Sequence, residues 1–293
     1  MAGSAFVNIA ADNDSRPSCR ERSSVIDMPH LASRICGMGL GNLRVALLLC
    51  VGSASLFAAA DEPDHGRDQL RFIVQQECLP GWLKVHNPDP CISVTLTGHG
   101  LRAQGYALLA DRRGGAHFLL IPTQSISGIE SPDLRAPGAI NYFDAAWKAR
   151  QVLESVVGRA VPRSAVGLGV NSIRARSQDQ LHIHISCLSQ SVYEALQSAA
   201  DRIGGTWTPF PMGGLRYQAI RIIGRQLGGP TPFELLADRL PGARDDMGEF
   251  TLLVAGASFK DGPGFVALAG ASVPGTRLLL DPSCALVNET ADR

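Results

Sequence analysis

The sequence lacks an excess of either charge, any clear internal repeat and any closely spaced pair of cysteines. Its 27 Lys and Arg residues balance 27 Asp and Glu residues, so the 293-residue chain has no formal net charge. That balance argues against a broad basic surface for nucleic acid. The absence of a closely spaced Cys pair argues against a structural zinc site. Hydrophobic residues make up 45% of the chain, enough to bury a full core, and one globular domain is expected.

The N-terminal region divides into a polar tail and an apolar leader. Residues 1–36 are polar and irregular and predict a tail. Residues 45–60 form an apolar run with a basic flank and small residues at its end, shorter than the roughly 20 residues of a comfortable membrane span. This pattern predicts a signal peptide or signal anchor over residues 37–62 and a catalytic domain over residues 63–293. A buried helix is the alternative, although acidic residues and a proline end the run abruptly.

Four of the seven cysteines follow the leader, namely Cys78, Cys91, Cys187 and Cys284. An even number suits two disulfides in an oxidising compartment. Four cysteines allow three pairings. The short proline-rich loop between Cys78 and Cys91 favours that pair, which leaves Cys187 to bond with Cys284. Zinc binding is the alternative for these residues.

Hydrophobic periodicity predicts an α+β fold built on an antiparallel sheet. Alternating apolar residues predict strands over 92–96, 106–109, 117–121, 166–170, 181–188, 217–223, 250–255, 265–268 and 277–280. Apolar residues at helical spacing predict helices over 68–78, 141–157, 193–203 and 232–240. The C-terminal part repeats a strand–helix–strand order, and we expect it to extend the same sheet or to form a packed subdomain.

The strand over residues 181–188 carries the most informative pattern. Because residues two apart on a strand face the same way, His182, His184 and Ser186 project together while their neighbours enter the core. A neutral imidazole can attack phosphorus, and the phosphoramidate that forms hydrolyses readily. The pattern therefore predicts a histidine nucleophile for phosphodiester transfer. Two histidines at this spacing are also typical of metal ligands or of a structural polar face, although no third ligand is evident nearby.

The segment 182–186 resembles the histidine-triad superfamily, whose motif is His-x-His-x-His, or His-x-His-x-Gln in its nucleotidyltransferase branch. The resemblance extends upstream to Asn171 and Gln178, which match the superfamily's phosphate-contacting loop. Residues 107–111 and 115–122 resemble its two hairpin strands. Three separate matches in the same order make the resemblance specific.

The resemblance also implies a role for each residue of the motif. His184 takes the place of the nucleophile and His182 that of the first triad member. Ser186 takes the third place, where it departs from the superfamily pattern. A slip of one step would make His182 the nucleophile and Gln180 the first member, but the spacing to the upstream loop favours His184.

Within the superfamily, the Cys-Leu-Pro segment, the Asn-Pro-Asp-Pro-Cys turn and the Gln-Leu-His-Ile-His-Ile-Ser-Cys-Leu strand resemble an exported or anchored branch that hydrolyses CDP-diacylglycerol. This resemblance covers about residues 69–284. It implies a HIT-like sheet with packed helices, a lipid-linked nucleotide substrate, and release of CMP and phosphatidate through a cytidylylated histidine. It implies no metal and no cofactor. With the leader, it predicts a catalytic domain on the periplasmic side of a bacterial inner membrane.

Four further residues are weaker candidates for substrate contact. Arg174 and Arg176 are placed to neutralise pyrophosphate oxygens, because a guanidinium matches them bidentately. Lys84 is a candidate for approaching the nucleotide and His117 for bordering its pocket. Surface charges and a packed histidine are the alternatives. Two other functions stay open, a hydrolase or transferase of soluble nucleotide pyrophosphates and an exported protein that binds a metal or nucleotide without turnover.

Overall fold

A computed structural model describes residues 65–97 and 104–289. The predicted tail over 1–36 and the predicted leader over 37–62 lie outside the described residues. Within the two described ranges, no helix is both long enough and apolar enough to cross a membrane.

In the described part of the chain, ten strands form one antiparallel sheet, in agreement with the predicted α+β class. The strands are β1 (Ser93–Thr97), β2 (Gln104–Ala110), β3 (His117–Pro122), β4 (Val166–Val170), β5 (Ile183–Leu188), β6 (Thr208–Met212), β7 (Leu215–Ile223), β8 (Phe250–Phe259), β9 (Gly262–Ala271) and β10 (Leu280–Asp281). Their order across the sheet is β1-β2-β3-β5-β4-β8-β9-β7-β6, and β10 pairs with β5. The C-terminal strands therefore extend the same sheet, as expected.

Seven α-helices accompany the sheet in the described ranges. They are α1 (Gln69–Phe72), α2 (Leu79–Val85), α3 (Tyr142–Ala149), α4 (Val152–Val157), α5 (Gln190–Ala199), α6 (Pro232–Arg239) and α7 (Ala285–Glu289). A π-helical stretch, Ile73–Cys78, joins α1 to α2, so the first helical segment is longer than predicted. This first helical segment includes Pro80, which was expected in a loop. Pro80 lies in the first turn of α2, where a missing N–H is tolerated.

Three other predictions need correction. The helix predicted over 141–157 breaks at residues 150–151. There the Arg150 side chain donates to the Trp147 carbonyl, which in a continuous helix would accept the backbone N–H of residue 151. The segment 277–280 is mainly a 3₁₀ turn, Thr276–Leu278, followed by the short β10. Strand β6 was not predicted, because two prolines interrupt its pattern, and it lies at the edge of the sheet, where proline is accepted.

The two faces of the sheet are covered differently. One face carries the main core, in which Ile183 and Ile185 of β5 pack with α3, α4 and α6 residues. The opposite face carries two separate apolar clusters, one under the α1–α2 segment at β1–β3 and one under α5 at β7–β9. Strands β5 and β4 lie between these clusters, so the face that bears His182 and His184 is left for polar groups.

Both predicted disulfides are present. Cys78 bonds with Cys91 and joins the first helical segment to the start of β1. Cys187 bonds with Cys284 and joins β5 to the residue before α7. Two structural disulfides are typical of proteins that fold in an oxidising compartment outside the cytosol.

Candidate active site

Strand β5 and the residue before it bring two histidines into a buried polar layer. His182 is 6% exposed and His184 5% exposed, and both project from the face opposite the main core. Their rings contact edge to face, with centroids 4.9 Å apart. The alternation predicted for this strand is therefore present, and it removes both imidazoles almost completely from water.

A third histidine comes from the neighbouring strand rather than from the motif. His117 begins β3 and lies directly opposite Ser186 in the register. Its Nε2 lies 2.9 Å from Nδ1 of His184. Ser186 turns away and donates to the Ala116 carbonyl at 2.8 Å. A small residue at position 186 thus leaves room for the His117 ring to reach the adjacent His184.

Asn171 contacts the other nitrogen of His184. Its Nδ2 lies 3.2 Å from His184 Nε2, and its Oδ1 accepts the backbone N–H of Thr276 at 2.7 Å. Since a backbone N–H can only donate, the oxygen of the amide must face Thr276 and the NH₂ must face His184. This assigns the lone pair of His184 to Nε2 and its proton to Nδ1, which then donates to His117.

The carboxylate of Asp111 lies on the far side of His117 from His184. If His117 accepts at Nε2, its own proton is on Nδ1, and this nitrogen faces Asp111 Oδ2 at 3.7 Å. Burial opposes ionisation of Asp111, but hydrogen bonds from the Arg113 side chain and backbone outweigh it and lower the pKa of the carboxyl. Asp111, His117, His184 and Asn171 therefore form one chain of polar contacts with a consistent direction of donation.

All three histidines are held in the neutral form by their surroundings. Burial lowers the pKa of His117 and His182, and it lowers the pKa of His184 well below the usual range, with His182 and His117 adding to the effect. The Nδ1 of His182 donates to the Gln180 carbonyl at 2.7 Å, which assigns its tautomer too. Neutral imidazoles keep a lone pair for nucleophilic attack near pH 7.

The sequence showed no third metal ligand, but the fold brings one candidate set together. One ligand atom from each of Asp111, His117 and His184 lies within 4.8 Å of the others. However, His117 faces Asp111 with Nδ1 and His184 with Nε2. His117 therefore makes the two contacts with different ring nitrogens. The arrangement is a chain in which a hydrogen bond of 2.9 Å joins the two histidines and a longer polar contact of 3.7 Å joins His117 to Asp111, and we assign no metal to it.

Two predicted phosphate contacts are engaged elsewhere in this structure. Gln178 accepts the backbone N–H of Leu70 at 2.9 Å and so ties the loop between β4 and β5 to α1. Arg176 is 7% exposed and pairs with Glu130 at 2.6 Å and with Asp179 at 3.0 Å. Both residues therefore hold the loop that carries Asn171, and direct contact with phosphate stays a prediction for each.

The two other predicted contacts lie on the surface. The Arg174 side chain is 73% exposed and pairs with Glu249 at 2.8 Å. Lys84 is exposed in the last turn of α2. Within the described residues, no hydrogen bond joins either side chain to the three histidines. Their roles in substrate binding stay predictions.

Several functional positions were not predicted. Asp111 was predicted only as the last residue of a hairpin strand, and Thr276 contributes a backbone group that a side-chain pattern does not reveal. Gly167 and Gly169 alternate along β4 on the face of His184. Glycines inside a strand often mark the close approach of another backbone, so this pair was the available signal.

Comparison with known proteins identifies the family. A family model described as CDP-diacylglycerol pyrophosphatase matches residues 65–288. A CDP-diacylglycerol pyrophosphatase of Yersinia pestis is 41% identical over 189 residues, which cover 64% of this chain and 71% of the relative. The chain belongs to the CDP-diacylglycerol pyrophosphatase family. The match spans every strand of the described residues together with His117, His182 and His184, so the family's region contains the whole site described above.

For a CDP-diacylglycerol pyrophosphatase, these neutral histidines are chemically suitable. The pyrophosphate bond is cleaved by attack at phosphorus, and a neutral imidazole is a competent nucleophile for that attack. The more distant resemblance to the histidine-triad superfamily stays a prediction, because the family match does not extend to that superfamily.

Proposed function

We propose that this chain hydrolyses CDP-diacylglycerol to CMP and phosphatidate through a cytidylyl group carried on His184. Membership of the CDP-diacylglycerol pyrophosphatase family supports the reaction. The observation that supports the nucleophile is the assigned tautomer of His184, whose Nε2 lone pair is set by Asn171 on one side and by His117 on the other.

In the first step, His184 Nε2 attacks the phosphorus attached to the cytidine. A nitrogen–phosphorus bond forms, and the bond from that phosphorus to the bridging oxygen breaks, with its electron pair leaving on phosphatidate. The ring of His184 becomes positively charged, and its Nδ1–H strengthens the hydrogen bond to His117. Asp111 faces the far side of His117 and stabilises the charge that develops there.

The proposed leaving group accounts for serine at position 186. Phosphatidate leaves as a phosphate monoester, and such a group has a second pKa of about 6. It departs near pH 7 without needing a proton from the enzyme. A histidine at position 186 that protonates the leaving group is therefore unnecessary. The small side chain of Ser186 instead leaves room for the ring of His117.

In the second step, water attacks the cytidylyl phosphorus. The phosphorus–nitrogen bond breaks and the electron pair returns to His184 Nε2. The water gives up one proton to the solvent, CMP leaves, and His184 returns to its neutral form. Asn171, displaced from Nε2 while the covalent bond exists, is placed to donate to a phosphoryl oxygen and then to rebind the free lone pair.

We further propose the cellular setting that the sequence predicts. Residues 37–62 act as a signal peptide or anchor, and residues 63–293 form a HIT-like catalytic domain on the periplasmic side of the inner membrane. The disulfides support export. Arg174, Arg176, Gln178 and Lys84 are proposed to assist the phosphates after substrate enters.

Chemical trapping tests the proposal directly. CDP-diacylglycerol labelled at the phosphate next to cytidine is mixed with the full-length protein, and the reaction is quenched without acid. We expect acid-labile label on His184, loss of label and of CMP release in His184→Ala, and retained label in His182→Ala. Label on His182, or equal turnover in His184→Ala, would contradict the assignment. Turnover of soluble CDP-alcohols alone would instead favour a soluble nucleotide substrate.

A further inference from the structure

Strand β4 has an unusual groove next to the catalytic strand. Gly167 pairs with Ser186, and Gly169 pairs with His184, so neither glycine places a side chain beside the site. A Cβ on Gly169 would lie 2.5 Å from Cγ2 of Thr276. A Cβ on Gly167 would meet Leu280 at 2.5 Å. The groove is therefore occupied by the segment 275–281, which we call the C-terminal strap.

The strap is attached firmly beyond the groove. Leu280 pairs with Leu188 at the end of β5, and the backbone N–H of Ser189 donates to Leu279 at 3.0 Å. Just after the strap, Cys284 is cross-linked to the catalytic strand. The strap is thus held to β5 by hydrogen bonds and a covalent bond, and its first residues cannot move far without disturbing these contacts.

The first two strap residues both approach the side-chain oxygen of Asn171. Thr276 donates its backbone N–H to Asn171 Oδ1 at 2.7 Å, and Thr276 itself is 2% exposed. Gly275 approaches so closely that an added Cβ would lie 2.6 Å from the same oxygen. We infer that the C-terminal strap is a positioning element of the active site, in which Gly275 and Thr276 orient the Asn171 amide and thereby select the reactive tautomer of His184.

The backbone N–H of Thr276 can only donate, so it fixes which end of the Asn171 amide faces His184. Without the Thr276 N–H, the Asn171 amide has no fixed orientation and can present its oxygen to His184. The oxygen would then accept a hydrogen bond from a protonated Nε2, so the nitrogen that attacks would carry the proton and would have no free lone pair. The strap acts through Asn171, so its residues are positioning residues and do not react.

Three titratable or charged side chains surround His184 and influence its pKa. His182 lies on the same strand, His117 on the neighbouring strand, and Arg113 in the hairpin before it. The first strap residues add only backbone groups and the Thr276 side chain. The strap also carries Arg277 and Asp281, which a substitution at Gly275 leaves unchanged, so we expect a resulting shift in the titration of His184 to arise through Asn171.

Gly275→Ala is the primary test of the strap. Gly275 has φ −65° and ψ 177°, which alanine adopts freely, so the new methyl group acts only on its neighbours. We expect kcat to fall about 100-fold, since a small misplacement of a reacting group can cost that much. We also expect the acid limb of the pH profile to move to higher pH. The Asn171 amide would no longer donate to His184 Nε2, and that hydrogen bond favours the neutral imidazole. Gly204→Ala is the matched control, since its Cβ meets nothing within 4 Å.

A compensating pair separates positioning from general damage. Gly169→Ala forces its methyl group against Thr276 and is expected to lower kcat. Adding Thr276→Ala removes Cγ2, the closest contact, and keeps the backbone N–H. We expect the double variant to recover at least tenfold of the lost activity. A double variant as impaired as Gly169→Ala would count against the inference.

A spectroscopic measurement makes the test independent of turnover, because the inference depends on the proposed function for its catalytic meaning. Nitrogen-15 NMR of histidine-labelled protein reports which nitrogen of His184 carries the proton. We expect unprotonated Nε2 in the wild type and in Gly204→Ala, and protonated Nε2 or a mixture in Gly275→Ala. An unchanged tautomer and pH profile in Gly275→Ala would overturn the inference. An inactive wild type with the expected change in tautomer would instead overturn only the proposed function.

Discussion

Changing Asn171 to aspartate alters one atom of the site and tests the direction of the hydrogen-bonded chain. The carboxylate keeps an oxygen for the Thr276 N–H, but its second oxygen replaces the NH₂ that faces His184 at 3.2 Å. A carboxylate cannot donate, so His184 must place its proton on Nε2. The chain through His117 then reverses its direction, and the attacking lone pair is lost.

The size of the effect can be worked from two contributions. A carboxylate this close raises the pKa of an imidazole by roughly 1–3 units, which opposes the lowering that burial imposes on His184. Fixing the wrong tautomer of a catalytic histidine costs about 10⁴-fold in the serine proteases. We expect kcat/KM of Asn171→Asp to fall roughly 10³- to 10⁴-fold, or about 4–5.5 kcal/mol at 1.36 kcal/mol for each factor of ten.

The assay is release of CMP from CDP-diacylglycerol in detergent micelles between pH 5 and pH 9. The acid limb of the profile should move to higher pH in Asn171→Asp, because a raised pKa keeps His184 protonated over a wider range. Asn87→Asp, in the exposed loop after α2, makes the same chemical change away from the site and serves as the control. A rate for Asn171→Asp within threefold of the wild type would refute the assigned tautomer.

Three further predictions concern stability. Replacing Cys187 and Cys284 with alanine removes a cross-link that spans 97 residues, and urea unfolding should show a loss of about 4–5 kcal/mol, against about 3 for the disulfide that spans 13. Arg176→Met leaves Glu130 without its buried partner and should cost about 2–3 kcal/mol by the same method, whereas Arg174→Met, at an exposed pair, should change nothing measurable. Burial lowers the pKa of His117, His182 and His184, so the unfolded chain binds protons more readily than the folded one. The free energy of unfolding should therefore fall as the pH drops below about 6.5. Equal stability at pH 7 and pH 5 would contradict this.

Local patterns predicted those elements whose periodicity is undisturbed. Strand β4 has the bounds expected from its apolar run, and α6 begins at a Thr231–Glu234 capping box and runs as its spacing indicates. The first helical segment was underestimated because Pro80 suggested a loop. The tertiary contacts of its apolar face with β2 and β3 extend the helix past that proline.

The candidate site was predictable only where its residues share one strand. His182 and His184 are two positions apart, so the geometry of a β-strand alone places them on one face. His117 was named only as a border residue, because its contact with His184 depends on the register between β3 and β5. Gln178 and Arg176 were predicted to meet phosphate, yet the folded loop engages both in contacts that hold its own shape.

By itself, the sequence determined the alternation of the histidine strand, the class of the fold and the four cysteines that pair. These features depend on short-range geometry and composition, which the chain carries in its local order. The tertiary structure alone decided that His117 and Asn171 meet His184 from opposite sides and that the strap at Thr276 orients the amide. Those contacts join residues 13 to 105 positions apart, and only the packing of distant segments brings such groups within hydrogen-bonding distance.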